Sequence, residues 1–148
     1  MSFKSQETNM QKLAMLLGND LGYIGGERES GPNGNKKVFL NVGKTFLRAM
    51  AKDLGLREVT VRSNAGGIAV SGDCNLYGMW EDGGIYISIS QPCGGQNVLL
   101  YRSIRNLKDH RGGYNHFVSR LELANMGYAA LLNRLLALRK DVSYERAA

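Results

Sequence analysis

Several things are scarce in this 148-residue chain, and each scarcity excludes something. No apolar run approaches the ~20 residues that a helix needs to cross a bilayer. Cysteine is limited to Cys74 and Cys93. No CxxC pair exists, and the two histidines, His110 and His116, lie close together elsewhere, so no zinc-ligand spacing is present. In a reducing compartment two such cysteines are expected to be free thiols. Between residues 63 and 97 there is no lysine or arginine at all. The N-terminal MSFKSQETNMQKLAMLLG has an early acid, Glu7, and no small-residue cleavage site, which is not a signal peptide's layout. The expectation is one cytoplasmic domain over 1–148, with no membrane partner.

What is present is positive charge, unevenly spread. The net charge is +6. Residues 32–62 carry seven Lys/Arg against Asp53 and Glu58, and residues 98–120 carry five against Asp109. Between them lies the Gly-rich middle, acidic through Asp73, Glu81 and Asp82. A fold that joins the two basic segments makes a positive face, the usual footprint of a polyanion partner. The bland alternative is two ordinary solvated surfaces.

Periodicity gives the organisation. Residues 8–17 predict a helix capped by Thr8 or Asn9, with Met10, Leu13, Ala14, Leu16 and Leu17 near one stripe. Residues 18–35 are polar and Gly-rich and read as a flexible loop. Lys37 to Leu40 suggests a short strand, and Asn41 the cap of a second helix over 42–54. There Phe46, Leu47, Met50, Ala51 and Leu54 share one face. Lys44, Arg48 and Lys52 stack at intervals of four on the opposite face, a secondary basic surface. Short strands follow: 58–63, 68–70, 75–80, 85–90 and one starting at Val98. An Asp-Gly pair, Asp82-Gly83, marks a hairpin. Ile85, Ile87 and Ile89 alternate strictly. From about Phe117 to Lys140 the chain reads as helical, divisible at Asn125-Met126-Gly127, and the tail 141–148 as frayed. The fold class is α+β: an antiparallel meander of about four to five strands covered by N-terminal and C-terminal helices.

Three motifs fail on their spacing or their surroundings. Gly43-Lys44-Thr45 matches the end of a phosphate-binding loop, but the earlier glycine of that motif is replaced by Val38. A helix start with lysine nearby can still hold a phosphate through its amides and dipole. Cys93-Gly94-Gly95-Gln96 reads better as a Gly-rich turn than as a nucleophile beside an oxyanion site. His110 and His116 with Asp109 match no metal-ligand pattern, and nearby positive charge repels a cation, so neither a metal nor a cofactor is called for.

The richest segment is Asn97 to His116. Arg102, Arg105, Lys108 and Arg111 surround Asp109, joined by His110, Tyr114, Asn115, His116 and the pair Gly112-Gly113. Arginine forks suit phosphate or carboxylate. Glycines let backbone amides approach a ligand. Tyr114 and His116 offer rings on which a base can stack. Asn115 also suits the N-cap of the following helix.

Gly66-Gly67-Ile68-Ala69-Val70-Ser71-Gly72 with Ile85–Gln91, and Leu100-Tyr101-Arg102 with Lys108-Asp109 and Gly112-Gly113, resemble a group of small uncharacterised proteins of phages and plasmids. The resemblance covers 61–116, omits the basic 32–62 segment and brings no catalytic residues. It implies a mobile-element accessory role in a bacterial host. Three expectations follow. The first is a binding module for nucleic acid or a nucleoprotein. The second is an inhibitor or adaptor of a host defence or replication protein, acting through the acidic hairpin of Trp80, Glu81 and Asp82. The third is a small enzyme on a phosphate-containing substrate with Asp109, His110 and His116 at its centre.

Overall fold

The computed structural model describes residues 3–18, 23–67, 69–92, 95–108 and 113–140. Two helices come first, α1 (Phe3–Leu16) and α2 (Asn35–Asp53). Five strands follow: β1 (Glu58–Asn64), β2 (Asp73–Trp80), β3 (Gly83–Ser90), β4 (Asn97–Ile104) and β5 (His116–Ser119). Two short helices close the chain, α3 (Arg120–Asn125) and α4 (Tyr128–Leu136), before a 3-10 turn at Ala137–Lys140. The strands pair antiparallel in sequence order, so the sheet is a five-stranded meander with helices on one face.

Register assigns each strand residue to a face, because successive side chains point to opposite sides. Val61, Leu76, Ile87 and Tyr101 form one row, and Cys74, Ile89, Leu99 and Val118 another. These rows meet the helices and build the core with Leu13, Phe46, Leu47, Met50 and Leu131. The alternate rows face away. One is Thr60, Tyr77, Tyr86 and Arg102, and the next is Arg62, Asn75, Ser88, Leu100 and Phe117. No helix covers that second face among the described residues, and the chain that follows β4 crosses part of it.

Helix α2 begins earlier than its sequence suggested. Lys37–Leu40 is helix, not strand, and Asn41 lies inside the helix rather than capping it. The apolar stripe runs further back than Phe46, because Phe39 and Gly43 are buried on the same side. Gly43 is explained by packing. A Cβ there would stand 2.5 Å from Cys74 Sγ and 3.0 Å from Cys74 Cβ. The helix thus approaches β2 too closely for any side chain. On an exposed helix Gly→Ala stabilises by about 1 kcal/mol. Here Gly43→Ala is expected to destabilise by about 1–3 kcal/mol through overpacking. Chemical denaturation should also show that Cys74→Ala recovers most of the loss in the double variant.

Three further differences have local causes. Helix α1 starts at Phe3, ahead of the expected cap. Its first turns are held by buried Gln6, whose amide donates to the Phe46 carbonyl, and by Phe3 edge-on to Tyr128 at 4.9 Å. Of the strand expected at 68–70, Ile68 lies outside the described residues, and Ala69 and Val70 belong to the loop joining β1 to β2. Ala69 there has a positive φ of 66°, which no strand residue adopts. The third difference lies at Phe117, which belongs to β5 and not to a helix. The helix starts after Ser119, whose hydroxyl accepts from the Glu122 amide while the Glu122 carboxylate accepts from the Ser119 amide. That capping box, not Asn115, sets the helix start. The break at Met126-Gly127 stands where expected.

The described part of the Gly-rich connection, 23–34, is a series of turns. Buried Gln91 ties it down. Its carbonyl oxygen accepts from the Ile24 amide at 2.7 Å, and its amide donates to the Leu17 and Gly18 carbonyls.

Candidate functional site

The face of the sheet away from the helices carries the unusual chemistry. Tyr77 and Tyr86 are cross-strand partners at its centre, with ring centroids 4.7 Å apart and planes inclined by 39°. Both are half-buried. The Tyr86 hydroxyl donates to Asn75 Oδ1 at 3.2 Å, and Asn75 donates to Asp73. Burial, then the neighbouring Tyr86, pushes the Tyr77 phenol above its ordinary range, so Tyr77 is neutral at physiological pH. The two rings, side by side and open to solvent, present an apolar platform fringed by polar groups.

Cations stand around this platform. Arg102 lies in the same row as the tyrosines. One guanidinium nitrogen donates to the Gly113 carbonyl at 2.8 Å, and its buried Nε has no hydrogen-bond partner among the described residues. After β4 the chain turns back over the sheet. The Lys108 amide donates to Asn106 Oδ1, a local side-chain turn that directs the segment. Leu107 and Lys108 then face Thr60, Arg62 and Tyr77 across a cleft of about 390 Å³. On its other side, Asn106 to Lys108 wall a second cleft of about 430 Å³ with Arg57, Glu58 and Met79. The two basic segments of the sequence therefore do meet: Arg62 comes from the first and Lys108 from the second.

The residues singled out in 102–116 are not all brought together. Arg102 and Lys108 face the open side of the sheet. Arg105 is half-buried just after β4. Asp109, His110, Arg111 and Gly112 lie outside the described residues. Gly113 holds the Arg102 contact, Tyr114 is 62% exposed, and Asn115 is exposed. His116 turns to the helical side, stacked on Tyr101 at 5.1 Å. There Arg134 donates to the Tyr101 hydroxyl, the Phe117 carbonyl and the Glu122 carboxylate, fastening α4 to β5 and α3. The Ser119 amide, then Arg134, holds the Glu122 carboxyl below its usual range. Lys44, Arg48 and Lys52 sit on α2, in the layer behind the sheet, apart from the Arg62–Lys108 cleft.

Other candidates are absorbed by structure. Cys74 is a free, buried thiol hydrogen-bonded to the Leu40 carbonyl. Burial pushes it up to about 12, so it is no nucleophile at neutral pH. Cys93 lies outside the described residues. The acidic hairpin is paired internally: Glu81 with Arg57 at 3.7 Å, and Asp82 with Arg139 at 3.1 Å. Trp80 is only 4% exposed and donates to the Leu54 carbonyl at 2.7 Å, with Arg139 over its ring.

Thr60, Arg62, Asn75, Tyr77 and Tyr86 were not among the residues read from the sequence as functional. Their signal was the other half of the strand alternation. Ile85, Ile87 and Ile89 define the core face, so Tyr86 and its cross-strand partner had to face outward. No protein-family model, curated protein or solved structure matches the chain.

Proposed function

We propose that this protein binds single-stranded nucleic acid on the open face of its sheet. The observation that carries the reading is the Tyr77–Tyr86 pair lying in one row with Arg102 and bordered by the Arg62–Lys108 cleft. Sequence-tolerant recognition of single strands combines stacking of bases on aromatic rings with cations along the backbone. An open antiparallel face supplies the first, and Arg62, Lys108 and Arg102 supply the second. The overall charge of +6 favours the same class of partner. The resemblance of 61–116 to phage and plasmid proteins implies that the role is accessory, in a bacterial host.

Arg62 and Lys108 are exposed and occur in none of the structural hydrogen bonds above except through the Lys108 amide. Their removal therefore leaves the fold intact. The account predicts a weaker salt dependence in an Arg62→Ala, Lys108→Ala variant. The slope of log K against log salt should fall in magnitude by about 1.4, at roughly 0.7 per lost phosphate contact on a single strand. A slope equal to that of the unaltered protein contradicts the assignment. The protein-inhibitor reading loses support from the internally paired acidic hairpin. The enzyme reading loses support from the placement of His116 against Tyr101, behind the sheet.

A further inference from the structure

A separate cleft of about 680 Å³ lies beside the start of α2, walled by the 25–31 turns and by Gly66, Gly67 and Ala69. It is at the far end of β1 from Glu58, where the chain after β4 departs. Lys36 lines it, only 8% exposed. Among the described residues the Lys36 ammonium has one hydrogen-bond acceptor, the Gly67 carbonyl, at the long distance of 3.5 Å. No described carboxylate lies within ion-pair distance of it. Glu27 lines the same cleft but is exposed and unpaired with Lys36. Glu29 is spent on the Asn35 amide and side chain, and its carbonyl accepts from the Lys36 amide.

A buried cation without a counter-ion is unfavourable. Its position makes it more so. Lys36 occupies the first turn of a 19-residue helix, at the positive end of the dipole, and that turn holds no acid of its own, although the Glu29 carboxylate accepts from the Asn35 amide. Both terms reverse sign when an anion is bound. The volume is that of a small-molecule site rather than an ion hole. Gly31, Gly66 and Gly67 present bare backbone to the cleft, and a Cβ on Gly67 would meet nothing within 4 Å. A lysine presents a compact point charge, which suits a phosphate better than a bidentate carboxylate clamp.

We infer that this cleft binds the phosphate group of a small ligand, with the Lys36 ammonium as its principal contact. The inference stands independently of the open-face reading. The test is thermal unfolding of the full chain in sodium pyrophosphate and in sodium chloride of equal ionic strength. Pyrophosphate is expected to raise the unfolding midpoint by several degrees more than the chloride does. Lys36→Met and Lys36→Gln should abolish the difference and melt no lower than the unaltered protein without ligand, because each removes a buried charge that no described carboxylate pairs. The Arg62→Ala, Lys108→Ala variant should keep it. An equal effect of the two salts on the unaltered protein overturns the inference, as does a pyrophosphate shift that survives loss of Lys36. Marked destabilisation of both Lys36 variants also overturns it, since the ammonium is then a strut to Gly67. If an oligonucleotide alone gives a Lys36-dependent shift, the site holds nucleic-acid backbone and the small-ligand assignment fails.

Discussion

A Tyr77→Ala, Tyr86→Ala variant is expected to bind a fluorescent single-stranded oligonucleotide at least about thirtyfold more weakly than the unaltered protein. Each base stacked on an aromatic ring contributes roughly 1–3 kcal/mol, so losing two platforms costs about 2–6 kcal/mol. The rings lie on the face away from the core, so the loss should appear in binding far more than in stability. The Tyr77→Phe, Tyr86→Phe pair separates stacking from hydrogen bonding. It keeps both ring faces and gives up the Tyr86 bond to Asn75. It should bind within a few-fold of the unaltered protein. Fluorescence anisotropy at fixed salt reads both variants. Alanine variants that bind normally would refute the platform, and phenylalanine variants as weak as the alanine ones would show that the hydroxyls carry the contact.

The second large effect concerns Trp80. Its ring is buried against the core, its indole N–H is satisfied by the Leu54 carbonyl, and Arg139 lies 5.3 Å from its centre. Trp80→Ala removes all three contributions and leaves a cavity. The expected loss is about 3–5 kcal/mol. In a domain of this size that corresponds to a fall in Tm on the order of 10 °C. Denaturant unfolding checks it, and a loss below about 1 kcal/mol would show that the site collapses or that the indole is not buried. The prediction matters for function too. Trp80 beside two acids has the look of a docking patch in the sequence, but its alteration would weaken partner binding by destabilising the fold. Exposed Glu81 is the better probe of the hairpin surface.

Parts of the fold were legible because their signal is local. The Ile85, Ile87, Ile89 alternation and the Asp82-Gly83 pair specify the β2–β3 hairpin without reference to the rest of the chain. The stripe of Phe46, Leu47, Met50 and Ala51 specifies most of α2. Other parts depend on tertiary contacts. Lys37–Leu40 is helical because Phe39 and Gly43 extend the buried face against β2, and a four-residue window cannot show that. β5 has four residues, too few for a period, and exists because β4 offers it an edge.

The site was half legible for the same reason. Charge clustering pointed to Arg102 and Lys108, since composition along the chain reveals it. The tyrosine platform was hidden. Tyr77 and Tyr86 are nine positions apart on different strands, and only register brings their rings to 4.7 Å. Arg62 and Lys108 are further apart still, and meet only because the chain after β4 folds back across the sheet. His116 shows the converse. It is close to Arg102 in sequence, yet strand alternation sends it to the other side.

The most direct test of nucleic-acid binding on the open face is anisotropy of the unaltered protein with matched single-stranded and double-stranded oligonucleotides at low and high salt. The account predicts tighter binding of the single strand, weakened steeply by salt, with the duplex bound more loosely throughout. Equal affinity for both forms, or no binding at low salt, would contradict it.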